Sequence, residues 1–249
     1  MDPPVKPGGD TKPWHSQGVT SDENMNNNHR SKLSYYKQIY NFGYLAAQFA
    51  HPSWLEGIQV PAKIAQDAKN VTAFQSQLLL QKVQDLDRNS RTEHSILLFI
   101  ASLPKSKFNR FLNYLVLAFL KNDKSLLING VKLKKLAHFF STDEMEFLTH
   151  EKEVKIKLNE KFSLEKNLEI DEFILLEIAF HILKGFFNKK NSCIFDRLKL
   201  RFPKDYTENK SAYFNFYIDS SVNISVISII AQALFPEIYS IFESEDLVK

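Results

Sequence analysis

The residues of this chain with the clearest potential for chemistry are three cations in the stretch FDRLKLRFPKD, residues 195–205. Arg197, Lys199 and Arg201 alternate with apolar residues, and strict alternation is typical of a strand with one buried face. A strand here would place the three cations side by side on its open face. Such a row could bind phosphates or an acidic protein partner, or it could simply be the hydrated side of a strand.

Residue patterns for metal binding, cofactor binding and catalysis are sparse. The histidines stand at positions 15, 29, 51, 94, 138, 150 and 181, and none has the spacing of a zinc site. Cys193 is the only cysteine, and a lone cysteine is typical of a small apolar residue. Glycine-rich phosphate loops and a G-x-S-x-G motif are absent from the sequence. We therefore expect no metal, no cofactor and no enzymatic activity.

One polar group has the spacing of a shared helix face. Glu177, His181 and Lys184 are four and three residues apart inside an otherwise apolar stretch. They could form a buried acid–base pair, or a polar seam against a neighbouring helix. We prefer the structural interpretation, although a deep pocket that joined Glu177 and His181 to another acid would favour an enzyme.

Charge and cysteine content restrict the classes of function. The chain has 249 residues, with 32 Lys and Arg against 29 Asp and Glu. A net charge of +3 gives no general attraction to nucleic acid, so such a function would need a local patch. The basic cluster of residues 189–201 is that patch, and a helical nucleic-acid-associated protein is our alternative. The single cysteine excludes an intrachain disulfide and fits a reducing compartment.

Apolar segments of membrane-spanning length are absent from the sequence. The two most apolar stretches, 173–187 and 222–235, are shorter than the roughly 20 residues that span a bilayer. The N-terminus has no apolar core of the signal-peptide kind. We expect a soluble cytoplasmic protein without direct membrane insertion.

The composition predicts a disordered tail of residues 1–31 followed by one domain, residues 32–249. The tail holds four prolines, three glycines and an asparagine run. Such a segment buries too little apolar surface to offset the entropy lost when a chain becomes ordered. The fold class that we predict for the domain is mainly α, a single compact helical domain with a small β element. That element would pair EVKIKL, residues 153–158, with residues 196–202, and residues 204–212 would form a loop.

Helical spacing of apolar residues and capping signals predict the helices. The clearest helix is predicted over residues 108–120, where the apolar residues follow i, i+3, i+4 and i+7. SRTE and STDE, at 90–93 and 141–144, have the spacing of capping boxes. The other predicted helices lie at about residues 38–51, 73–86, 92–103, 130–140, 171–187 with Asp171 as cap, and 221–235.

The stretch AHPSWLEG, residues 50–57, predicts a rigid corner. A residue before proline avoids the helical conformation, so the preceding helix should stop near His51. Trp54 follows directly, and a tryptophan at such a turn usually packs into the core. Its indole N–H then needs a hydrogen-bond partner.

Four stretches in order resemble the SctK family (YscK, OrgA, MxiK), the helical accessory proteins of the type III secretion sorting platform. They cover about residues 35 to 242, and only the N-terminal tail and the lysine-rich segment 150–168 look longer than in shorter members. The stretches are YNFGYLAAQFAHPSWLEG (40–57), FNRFLNYLVLAFLKNDKSLLINGVKLKKLAHFF (108–140), FDRLKLRFP (195–203) and IIAQALFPEIYSIF (229–242).

The resemblance implies a non-enzymatic assembly adaptor in the cytoplasm, peripheral to the inner membrane at the base of the injectisome. Such proteins link the cytosolic domain of the inner-membrane ring protein, SctD, to the pod protein, SctQ. Through the pod protein they connect to the stator SctL and the ATPase SctN. The family supplies no catalytic residues. Partner-binding candidates in this chain are Arg197, Lys199, Arg201, His51 and Trp54, and nucleic acid is not an expected partner.

Overall fold

The computed structural model describes residues 21–83, 95–122, 128–150, 170–186, 192–208, 220–237 and 239. Within these ranges the regular structure is helical, without strands, as the mainly α prediction required. The predicted strand 153–158 lies outside the described residues.

Ten α-helices are present in the described part of the chain. Two short 3-10 turns, at Ala46–Gln48 and Pro52–Trp54, lie between the first helix and the second. The helices are α1 (Ser21–Tyr44), α2 (Ala68–Leu80), α3 (Ser95–Ser102), α4 (Lys105–Leu120), α5 (Gly130–Leu136), α6 (Thr142–His150), α7 (Glu172–Phe186), α8 (Ser192–Lys199), α9 (Lys204–Glu208) and α10 (Ser220–Leu234).

Helix α4 lies at the centre of the core. Ten of its sixteen residues are buried, including every residue from Tyr114 to Leu120. Helices α6, α7 and α10 pack around it. An amphipathic face explains the first half of α4, whereas the second half is apolar on all sides because neighbours enclose it. The helix predicted over residues 108–120 is therefore confirmed, with its first turn at Lys105.

Helix α3 is the second buried element. Every residue from Ile96 to Leu103 is at most 9% exposed. Helices α1, α8 and α10 contact α3. Phe99 packs its ring against Tyr35 of α1 and Phe235 after α10. A short helix that is apolar all round has no favourable surface position, so it lies inside.

Side-chain caps define the starts of two helices as predicted. The Ser141 backbone N–H donates to Glu144 Oε2 at 2.8 Å, and the Glu144 N–H donates to Ser141 Oγ at 3.4 Å. Asn113 of α4 donates to the other Glu144 oxygen at 2.9 Å, so the cap also joins α6 to the core. Asp171 accepts from the Ile174 N–H at 2.7 Å. The predicted box at residues 90–93 lies outside the described residues.

The strand predicted over residues 196–202 is wrong. Residues 192–199 are helix α8, and residues 200–202 form a turn. Ile194, Leu198 and Phe202 are spaced by four residues and are all fully buried. The segment therefore has apolar residues at helical spacing as well as at the alternating spacing of a strand. Over seven residues the two periods cannot be separated by sequence alone.

Several boundaries also differ from the prediction. Helix α1 ends at Tyr44 and not near His51, and α2 spans Ala68–Leu80 where residues 73–86 were predicted. Helix α1 begins at Ser21, so residues 21–31 of the predicted tail are helical, while residues 1–20 lie outside the described residues. The loop predicted after Pro203 begins instead with the short helix α9.

Candidate functional site

Arg197 is part of the fold and does not lie on an open surface. Arg197 is only 5% exposed, and its Nη1 donates a hydrogen bond to the backbone carbonyl of Gly43 at 2.5 Å. Gly43 lies in the last turn of α1, where helix carbonyls have no partner within the helix. The guanidinium therefore satisfies the carbonyl end of α1 and complements its partial negative charge.

Arg201 plays the same part at the end of α3. Its Nη1 donates to the carbonyls of Ala101 and Leu103 at 2.8 and 2.7 Å. The guanidinium carbon lies 3.6 Å from the ring centre of Phe108 and 5.4 Å from that of Phe49. Burial lowers the pKa of Arg201 to about 9, so the group remains charged at pH 7.

The predicted row of three cations is therefore absent. The Lys199 side chain is 33% exposed, and its Nζ lies 2.5 Å from Asp196 Oδ1 one turn earlier. Because α8 is helical, Arg197 and Lys199 point in different directions around its axis, and Arg201 lies in the turn that follows. No observation on the described residues favours the nucleic-acid alternative, since Arg197 and Arg201 are used inside the fold.

The corner at residues 51–54 binds the main chain of the turn after α8. The His51 backbone N–H donates to the Leu200 carbonyl at 2.7 Å, and the Trp54 indole N–H donates to the Phe202 carbonyl at 2.8 Å. The Lys204 N–H donates to Ser53 Oγ at 3.0 Å. The predicted partner for Trp54 is confirmed. His51 and Trp54 are half-buried against the chain itself.

These contacts form one unit, which we call the arginine junction. It comprises Gly43, residues 51–54, residues 197–204 and the carbonyls of Ala101 and Leu103. Leu200 joins Ala46 and Leu79 in a small apolar cluster beneath it. The junction brings together the first and third stretches that carry the resemblance, although they are about 150 residues apart.

The junction predicts the effect of a conservative change at Trp54. Trp54→Phe keeps an aromatic ring but leaves the Phe202 carbonyl without its 2.8 Å donor. We expect the free energy of unfolding to fall by about 1.5 kcal/mol, the scale of an unsatisfied buried acceptor. Urea unfolding followed by circular dichroism measures it. An unchanged midpoint would show that the indole N–H contributes nothing to the corner.

Glu177 and His181 form a polar seam on α7. Glu177 is 8% exposed, and its Oε1 lies 3.8 Å from His181 Nε2. Burial lowers the pKa of His181, Glu177 partly opposes that effect, and Lys184 adds to it.

Tyr206 donates a hydrogen bond from its hydroxyl to the Phe173 carbonyl at 3.1 Å, and burial together with Glu177 raises the pKa of Tyr206.

The lowered pKa of His181 predicts a pH dependence of stability. The unfolded chain binds a proton at His181 at higher pH than the folded chain does, so stability decreases as pH falls below about 6.5. His181→Gln should lose less stability than the parent between pH 7 and pH 5. Urea midpoints at both pH values test this, and equal losses in the two proteins would contradict it.

An exposed aromatic face on α1 escaped the sequence interpretation. Leu33, Tyr36, Tyr40 and Tyr44 are spaced by three or four, so they share one side of the helix. Their exposed fractions are 68%, 50%, 59% and 52%. The rings of Tyr40 and Tyr44 are 4.8 Å apart. We call these four residues the aromatic face.

A sequence signal for the aromatic face existed in YYKQIYNFGY, residues 35–44. The opposite side of α1 is the one that enters the core, with Tyr35 and Phe42 at 4% and 2% exposure. Five aromatic residues at positions 35, 36, 40, 42 and 44 cannot all point to one side of a helix. A cleft of about 590 Å³ lies beside Tyr44, between α1 and α2.

Across the described ranges, no group of three or more His, Cys, Asp and Glu side chains could hold a metal ion. Nor does any helix in those ranges combine the length and apolarity that crossing a membrane requires.

Comparison with known proteins adds no relative. No protein-family model, no curated protein and no solved structure matches the chain.

Proposed function

We propose that this chain is a non-enzymatic assembly adaptor of a bacterial type III secretion sorting platform, bound to its partners through the aromatic face of α1. The exposure of Leu33, Tyr36, Tyr40 and Tyr44 is the single observation that carries the protein-binding part of the proposal. The resemblance of four ordered stretches to the SctK family supplies the identity of the machine.

The aromatic face has the properties of a protein interface. From Leu33 to Tyr44 it extends about 16 Å along the helix, at 1.5 Å per residue. Tyrosine is enriched at interfaces because an apolar ring and a polar hydroxyl can both be satisfied there. Single exposed apolar residues are ordinary, but a contiguous row marks an interaction site.

The arginine junction gives this face a rigid support. Tyr40 and Tyr44 flank Gly43, whose carbonyl accepts a hydrogen bond from Arg197 at the carbonyl end of the same helix. A binding surface on a fixed helix loses little conformational entropy when a partner docks. We therefore assign the predicted residues Arg197, Arg201, His51 and Trp54 to positioning the interface, while Lys199 remains a candidate for direct contact.

The partners that we propose are the pod protein SctQ and the cytosolic domain of the ring protein SctD. Contact with the stator SctL and the ATPase SctN would be indirect, through the pod protein. The chain would act in the cytoplasm, at the base of the injectisome, without entering the membrane.

Affinity purification of the tagged full chain from its native cells tests the proposal. We expect mass spectrometry to recover the pod, stator and ring proteins together. A parallel purification of the tagged Tyr36→Ser, Tyr40→Ser, Tyr44→Ser chain should lose them. Recovery of nucleic-acid-binding proteins in place of this set would contradict the proposal.

A further inference from the structure

A second surface of the chain is basic and aliphatic, and it lies on α5. Ile128 and Val131 are 85% and 68% exposed, and Ile128 is the most exposed large apolar residue in the described part of the chain. Lys134 and Lys135 are exposed beside them, and Lys132 is half-buried. We call these five residues the α5 patch.

The apolar spacing of α5 decides which of its sides faces outward. Leu136 is fully buried, and Leu133, three residues earlier, packs against the core. Val131, Lys134 and Lys135 are separated by three and four residues, so they share the opposite side of the helix. The patch therefore belongs to a helix that its inner side anchors to the core.

A side-chain cap fixes the start of α5. Asn129 Oδ1 accepts from the backbone N–H groups of Val131 and Lys132 at 3.0 and 3.3 Å. Ile128 directly precedes this cap, so it stands at the tip of the helix. The tip is convex, because a side chain that is 85% exposed touches little of its own chain.

The charge of the patch is not balanced locally. Residues 128–142 contain three lysines and neither aspartate nor glutamate. In the described part of the chain, none of these lysines forms an ion pair. Lysines in the last turn suit the negative end of a helix, which accounts for Lys134 and Lys135. It does not account for the exposed aliphatic side chains of Ile128 and Val131.

The two properties together select the chemistry of the partner. Lysines attract any polyanion, but exposed isoleucine and valine gain little from a nucleic-acid backbone, whose contacts are charged and polar. An anionic bilayer surface matches both properties, because its headgroups supply negative charge and its acyl boundary takes up apolar side chains. A fluid bilayer also adapts to a convex tip, whereas a protein partner would need a matching pocket.

We propose that the α5 patch binds the anionic surface of a lipid bilayer. Lys132, Lys134 and Lys135 lie against the headgroups, while Ile128 and Val131 reach the boundary of the acyl chains. Each lysine near such a surface strengthens binding about fivefold, so three of them with two small aliphatic anchors give a weak and reversible contact. The contact is peripheral, and no helix enters the hydrocarbon core. This inference is independent of the proposed function, since the aromatic face lies on α1.

Cosedimentation of the full chain with lipid vesicles tests the proposal. One set of vesicles is pure phosphatidylcholine, and the other contains phosphatidylglycerol as a substantial fraction of its lipid. We expect binding to the anionic vesicles and little binding to the neutral ones. High salt should weaken the binding, because exposed charges are screened.

Two variants separate the contributions of charge and of the apolar tip. Lys132→Gln, Lys134→Gln and Lys135→Gln together should lower the partition coefficient about 100-fold, the product of three fivefold effects. Ile128→Ser with Val131→Ser keeps the charge and should lower the coefficient about tenfold, because the apolar area that leaves water is lost.

A matched control removes the same charge from another helix. Lys105, Lys107 and Arg110 are exposed residues of α4, and changing all three to glutamine should leave the partition coefficient nearly unchanged. Far-UV circular dichroism confirms that each variant is folded.

A fluorophore reports which side of the molecule meets the lipid. In a Cys193→Ala background, which removes the only native thiol, an environment-sensitive dye is attached after Val131→Cys or after Ala233→Cys. Position 233 is exposed on α10. The emission of the dye at position 131 should shift to the blue with anionic vesicles, and the emission at position 233 should not.

Four results would overturn the proposal. They are no binding to anionic vesicles, equal binding to neutral ones, a loss in the α4 control as large as in the α5 lysine variant, and equal dye shifts at positions 131 and 233. An unchanged partition coefficient for Ile128→Ser with Val131→Ser would also overturn it. If duplex DNA then displaces the vesicles at equal phosphate concentration, the patch is assigned to nucleic acid.

Discussion

Replacing Arg201 by methionine will lower the free energy of unfolding by about 3 kcal/mol. The guanidinium donates to two carbonyls at the end of α3 and stacks on Phe108, so its removal leaves buried acceptors without donors. Hydrogen bonds from charged groups contribute about 1.5–3 kcal/mol each, and methionine recovers only part of the packing. Urea unfolding of the full chain measures the change.

Lys199→Met is the matched control for Arg201→Met. Lys199 stands two residues earlier, carries the same charge, and pairs with Asp196 at a partly exposed site. Such pairs contribute about 0–1 kcal/mol, so the unfolding midpoint should hardly move. Arg201→Lys should fall between the two, because an ammonium cannot reproduce the planar fork of guanidinium donors. Equal effects at positions 199 and 201 would contradict the arginine junction.

The second large effect concerns partner binding. Changing Tyr36, Tyr40 and Tyr44 together to serine should weaken capture of the pod or ring protein at least about 100-fold, because buried aromatic anchors dominate interface energies. The fold should persist, since exposed substitutions usually change stability by less than about 0.5 kcal/mol each. Biolayer interferometry with purified partners measures the affinity.

A matched triple variant separates the aromatic face from general surface apolarity. Ile128→Ser, Val131→Ser and Ile229→Ser remove three exposed apolar side chains, of 85%, 68% and 46% exposure, on other elements. The partner affinity of this variant should equal that of the parent. If both triple variants lose binding alike, the aromatic face has no special role.

Long periodic segments made most of the helices predictable. Helices α4 and α7 have enough turns for their apolar period to be clear, and the caps that the sequence indicated are present, at Ser141 and Glu144 for α6 and at Asp171 for α7. Local signals of this kind depend only on neighbours in sequence. The Trp54 hydrogen bond was predictable for a similar reason, since a buried indole N–H must find an acceptor.

The candidate site was less predictable because its contacts are long-range. Arg197 and Arg201 reach carbonyls 154 and about 100 residues away, and no local pattern identifies such acceptors. The three cations were predicted to form an open row because the short segment was interpreted with the alternating period of a strand, whereas residues 192–199 are helical. The aromatic face was missed because only the packing of α1 decides which of its tyrosines stay outside.

The most direct test of the proposed adaptor role is a bridging measurement with purified components. The tagged cytosolic domain of the ring protein is immobilised, and the pod protein is added with and without this chain. The account predicts that the pod protein is retained only when the chain is present, and that the Tyr36, Tyr40 and Tyr44 triple variant fails to retain it. Retention of the pod protein without the chain, or none with it, would contradict the adaptor function.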